Sequence, residues 1–209
     1  MVFTNTDKTD WITLHNGAKI HKTALIYPNV DIGENSVIGE YVVIGRNNIH
    51  SYSDDIKNEN SITIIGTGSY IDSHSFISCG ARIGNNVYLA RNTFIGRYSV
   101  IGDNTKCHYN SQIYQNVIVG NNCRIGGFCC DDTIIGDSSN IYGTLSHRFK
   151  TRNEPCKKAP VIQNNVTVGI GSVVLGKVII HNGAYIAANA IITKSVPANQ
   201  RVRNVDEPF

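Results

Sequence analysis

Residues 83 to 112 read IGNNVY LARNTF IGRYSV IGDNTK CHYNSQ when broken into sixes. An aliphatic residue opens four of the five blocks, asparagine stands fourth in four of them, and a small residue or valine stands fifth in all five. A helix would scatter residues six apart around its circumference, and plain strand alternation has no reason to return at every sixth residue. The same beat runs outward in both directions. It starts with IHKTAL at residue 20 and closes with ITKSVP at 192, giving 24 blocks. The first position is Ile, Leu or Val in 23 of the 24, with Cys107 the exception.

Each preference has a physical reason. A large aliphatic side chain every six residues fills the inside of a narrow coil. A small fifth residue also fits inside, near a corner. Asparagine or glycine, fourth in 15 blocks, accepts the positive φ of a tight corner. The repeat predicts an all-β solenoid in which short parallel strands wrap into a prism, three hexads to a turn. About eight coils would stack at roughly 4.8 Å per turn. Residues 1–19 read as an N-terminal cap, 20–197 as the column, and 198–209 as a C-terminal tail.

The bulk numbers narrow the class. Charged residues are 17% and the net charge is +3, which makes no case for nucleic acid as a partner. No run approaches the length of a membrane span, and the first residues lack a secretory apolar core, so a cytoplasmic protein is expected. The six cysteines form no CxxC pair. Cys107, Cys123 and Cys129 fall where the repeat wants inward or small residues, so buried thiols are expected rather than disulfides or zinc ligands.

Function in a solenoid gathers where the repeat breaks. One break covers residues 50–64, HSYSDDIKNENSITI, with Tyr52, Asp54 and Asp55 available to an acceptor. A second is a four-residue slip near Cys129 to Ile134. The third is 147–161, within YGTLSHRFKTRNEPCKKAPV at 142–161. It carries His147, Glu154 and the basic residues Arg148, Lys150, Arg152, Lys157 and Lys158.

The hexads resemble those of the hexapeptide-repeat acyltransferases, left-handed parallel β-helix proteins. The stretch from YGTLSHRF to SVPANQRV resembles the C-terminal half of their sugar and xenobiotic acetyltransferases. The resemblance implies the left hand and an acyl-CoA co-substrate such as acetyl-CoA. It also implies a homotrimer with each site in a cleft between two columns. His147 matches the histidine that acts there as general base at the root of an extended loop. Histidine, with an ordinary pKa near 6.5, can accept a proton near neutral pH. Ala187, Ala188 and Gly169 match the coils lining the pantetheine arm, and Lys194, Arg201 and Arg203 match basic residues that meet coenzyme A phosphates. The family's Gly-x-Pro turn is missing from the RVRNVDEPF end. His74, His108 and Glu154 are candidates for holding the acceptor.

Two acceptors compete. An amino sugar on a nucleotide would give an amide, in surface polysaccharide synthesis; a hydroxyl on a sugar or small molecule would give an ester. The acidic loop at 50–64 favours the amine. Two other classes stay in view. A zinc carbonic anhydrase needs three converging histidines. A non-enzymatic β-helix would have no use for a basic loop rooted on a histidine.

Overall fold

The computed structural model describes residues 10–46, 61–148 and 158–203. They form a left-handed parallel β-helix of three flat faces, here named A, B and C in the order the chain visits them. Twenty-eight short strands build sheets of 11, 9 and 8 strands on faces A, B and C. All pairings are parallel except that of Trp11–Thr13, which lies antiparallel to Lys19–His21 and caps the first turn.

The register shows the hexad arithmetic directly. Tyr88 pairs with Tyr70 below and Lys106 above, 18 residues each way. Residues 47–60, which hold most of the 50–64 break, lie outside the described residues, so Tyr52, Asp54 and Asp55 are not placed. The chain rejoins face C at Thr63–Ile65.

The core is one inward column. Ile38, Ile71, Leu89, Cys107, Ile125 and Ile141 are fully buried behind face A, and Ile77, Ile95, Ile113, Cys129 and Leu145 behind face B. Burying one such side chain contributes about 1.5–3 kcal/mol, so every turn is held by its own aliphatic layer. Corner residues take the left-handed backbone at the fourth position of the hexad, as at Asn86 (φ 55°), Asn104 (57°) and Asn122 (57°). Tyr41, His74 and Tyr98 do the same without the usual asparagine.

A feature beyond the hexad preferences runs up the edge between faces C and A. The side-chain oxygens of Asn85, Asp103, Asn121, Asp137, Asn164 and Asn182 each accept the backbone N–H of the turn before, at 2.6–3.0 Å. The ladder stitches seven turns on one edge. Inside the column, Ser36, Ser69 and Ser139 satisfy their hydroxyls on backbone carbonyls of the next turn.

Three features correct the sequence reading. There are about nine coils, not about eight. The slip is not a gap after a full hexad at Cys129; it is a pair of four-residue sides, Ile125–Phe128 and Ile141–Thr144. Gln112 pairs with Phe128, and Phe128 with Thr144, each 16 residues on. Cys129 and Leu145 therefore open new sides, and a strict count in sixes absorbs both. The column also runs beyond Pro197, because Arg201–Val202 pairs with Tyr185–Ile186.

The described thiols are buried and unbridged: Cys79, Cys107, Cys123, Cys129 and Cys130. Loss of water pushes the Cys107 thiol up to about 12 and Cys130 to about 11, and raises Cys123 and Cys129 as well. Ellman's reagent is expected to leave these five unreacted in the native protein and to titrate them once guanidinium unfolds it. Prompt native reaction would contradict their burial. The stability held by the neutral Cys107 thiol is complete below about pH 9, where the unfolded thiol is also protonated, and falls as pH rises from there towards 12.

Candidate active site

The edge between faces B and C carries the candidate site. Ile77, Ile95, Ile113, Cys129 and Leu145 pair in series, so the residues two places after each stack in register: Cys79, Arg97, Gln115, Asp131 and His147. His147 follows the strand Thr144–Ser146 and is half-buried. Its Nε2 donates to the backbone carbonyl of Asp131, 2.9 Å away and one turn below. A carbonyl only accepts, so in the neutral ring Nε2 carries the hydrogen and the proton-accepting lone pair lies on Nδ1.

The turn above makes room for Arg148, the residue after His147. Gly176 holds φ +76°, and a Cβ there would lie 2.6 Å from Cβ of Arg148. A glycine is required on both counts. Residues 149–157 lie outside the described residues, and Glu154 with them.

Below His147 a groove of about 490 Å³ opens on face B, lined by Phe94, Gln112, Tyr114, Gln115 and Asp131. Its walls are an aromatic chain. Phe94 meets Tyr114 edge-on at 5.7 Å, and Tyr114 meets Phe128 at 4.9 Å. Oδ1 of Asp131 accepts the Gln115 N–H at 2.8 Å, which locks the carboxylate to the groove's wall. Lower on the same edge Arg97 is only 2% exposed and donates to the Tyr98 hydroxyl at 3.1 Å. Asp131 and Gln115 escaped the sequence reading. The CCDD run at 129–132 was visible only as a disturbance, because nothing local says that it stacks one turn beneath His147.

The other candidates divide between edges. Lys194 follows Ile192, which pairs up the column from Leu145 through Val174, so it stands on the His147 edge two turns higher. It borders a second groove of about 250 Å³ with Ile191, Ser195 and Gln200. Gly169, Ala187 and Ala188 lie together on the edge between faces A and B. A Cβ on Gly169 would come within 2.6 Å of the Ala188 nitrogen, so the two turns touch through backbone there. Arg201 lies on face A with its guanidinium 5.6 Å from the Tyr185 ring centroid, and Arg203 follows it.

His74 and His108 also occupy the A–B edge, both exposed. His74 stacks on Tyr41 at 5.1 Å and His108 lies 5.8 Å from Tyr142. Within one chain these two histidines stand on the A–B edge and His147 on the B–C edge.

Two sequence families match the chain: the GMPPB C-terminal domain over residues 9–101, and the bacterial transferase hexapeptide (six repeats) over residues 159–194. No curated protein matches it. Among solved structures it is similar to UDP-N-acetylglucosamine O-acyltransferase (LpxA) from Moraxella catarrhalis RH4. The identity there is 18%, with 86% of this chain and 68% of that one covered and a TM-score of 0.57. The UDP-N-acetylglucosamine acyltransferase of Francisella novicida is 24% identical, with 90% and 67% covered and a TM-score of 0.54. LpxA from Acinetobacter baumannii is 19% identical, with 86% and 68% covered and a TM-score of 0.55. These likenesses carry the fold. The substrate is left to the chemistry of the site.

Proposed function

We propose that this hexapeptide-repeat β-helix is an acyltransferase that moves an acyl group from acyl-CoA to the amine of a nucleotide-linked amino sugar. The observation that carries the reading is His147, held by the backbone carbonyl of Asp131, a residue that lines an aromatic-walled groove. The acceptor nitrogen attacks the thioester carbonyl carbon, and the carbon–sulfur bond breaks. His147 takes the proton from nitrogen on Nδ1 and returns it to the departing thiolate, so the ring ends the cycle neutral. Lys194, Arg201 and Arg203 would meet the coenzyme's phosphates, Arg in a bidentate contact and Lys as a point charge.

The two-edge arrangement supports a cyclic trimer. Face B presents Val43, Phe76, Phe94, Phe128 and Val173 outward. A cleft between two columns would form where the B–C edge of one copy meets the A–B edge of the next. His147 of one copy then faces Gly169, Ala187 and Ala188 of the next, and one site forms per interface. Light scattering after gel filtration is expected to give three times the 22.9 kDa chain mass.

The test follows thiol release from acetyl-CoA in the presence of a panel of nucleotide-linked amino sugars. Release that depends on one of them supports the amide-forming reading. A second reading, O-acylation, is favoured by the names of the similar structures, which act on UDP-N-acetylglucosamine as acyltransferases. Release with a hydroxyl acceptor only would select it. Release with neither kind of acceptor, across acyl lengths, would overturn both.

A further inference from the structure

We infer that Asp131 is the specificity-determining anchor of the acceptor site, binding the acceptor's ammonium group in the face-B groove one turn below His147. The inference rests on the acyltransferase reading and deepens it.

Three observations meet at this residue. First, the groove has the size of a small-ligand site, about 490 Å³, and its lining is mixed in a telling way. Phe94 and Tyr114 offer flat aromatic surfaces, suited to the apolar face of a pyranose ring and attractive to a nearby cation. Gln112 and Gln115 offer carboxamides that can donate to and accept from ring hydroxyls. Asp131 is the one charged residue among the described lining residues. A carboxylate in an otherwise neutral, aromatic groove selects a cationic group, through a charge-assisted hydrogen bond that a hydroxyl makes more weakly.

Second, the carboxylate is already positioned. Oδ1 is tied to the Gln115 N–H at 2.8 Å, so binding does not have to freeze the side chain. Third, the same residue sets the base. The Asp131 carbonyl receives the His147 Nε2 hydrogen, so ring and carboxylate are fixed relative to each other by one residue. An ammonium bound at the carboxylate would lie on the same edge as the imidazole, with the backbone of Asp131 between them. The ladder on the C–A edge makes the same Oδ1 contact with asparagine and aspartate alike, so the charge of Asp131 can be removed without losing it.

Asp131→Asn is therefore the test. Asparagine keeps Oδ1 for the Gln115 N–H and leaves the backbone carbonyl for His147, while removing the charge. Calorimetry would measure binding of dTDP-4-amino-4,6-dideoxyglucose and of dTDP-glucose to the full chain with coenzyme A present, alongside thermal unfolding. The wild type is expected to prefer the amino ligand at least tenfold. Asp131→Asn is expected to lose that preference, with binding of the hydroxyl ligand and the unfolding temperature unchanged. The inference is overturned if the wild type binds both alike or neither, or if the preference survives in Asp131→Asn. The two proposals fail separately. A charge preference that depends on Asp131 without any acyl transfer would sink the enzymatic reading and keep the subsite. Acyl transfer to an amine that is indifferent to Asp131→Asn would do the reverse.

Discussion

His147→Ala is expected to lower thiol release from acetyl-CoA at least 100-fold at saturating acceptor, the lower end of what a positioned general base contributes. The effect should fall on kcat, because the ring acts in the transition state and is not needed to hold either substrate. A second variant separates the proton transfer from the hydrogen bond. His147→Gln keeps an N–H that can donate to the Asp131 carbonyl, yet it has no group able to take a proton near neutral pH. If the imidazole works as a base, Gln fails as badly as Ala. If its role is only to brace the edge, Gln restores most of the rate. A loss under tenfold in both variants would remove His147 as base. It would point to an amine that arrives already neutral.

The largest structural effect is expected at Gly127→Ala. The side Ile125–Phe128 has four residues in place of six, so the corner between two inward side chains consists of Gly126 and Gly127 alone. A Cβ on Gly127 would be driven directly into the carbonyl oxygen of Gly143, the equivalent residue of the next short side. Gly126 is tight as well, its Cβ meeting Cδ1 of Tyr142 at 2.9 Å. Neither neighbour can swing away at position 127, because the obstacle is backbone inside a parallel ladder. The cost is expected at about 3 kcal/mol or more, the upper range for overpacking. For a chain of this size that is a fall of roughly 6–12 °C in Tm. Lys106→Ala, on the exposed surface of face A, should stay within about 0.5 kcal/mol and serves as the control. A Gly127→Ala protein melting within about 2 °C of wild type would mean that the two short sides do not stack as described.

Particular residues show how far the repeat could be read. Ile83, Leu89, Ile95 and Ile101 announce the inward column by spacing alone, and Asn86, Asn92 and Asn104 announce the corners. These preferences are local, since each follows from one side chain's size or its tolerance of positive φ. His147 was legible for a different reason, because the hexad stops there and a basic stretch begins. The Asn85-to-Asn182 ladder was hidden by its chemistry, because it mixes Asn with Asp and reads as ordinary polar surface. The short sides were hidden by counting. IGGF and IYGT look like damaged hexads until the pairing of Gln112 with Phe128, and of Phe128 with Thr144, shows that each is a complete side.

By itself, the sequence determined a parallel prism of hexads with an aliphatic core, and a histidine where the coil opens. Both are written in spacings of six residues or fewer, where one side chain and one turn decide the outcome. Only the tertiary structure decided which residues share an edge. Asp131 and His147 are 16 residues apart because one side between them, Ile141–Thr144, has four residues in place of six; in a turn of three full hexads the residue above Asp131 would be 18 away. That juxtaposition depends on the summed length of a whole turn, and it is what sets Asp131, with the groove that it lines, beneath His147.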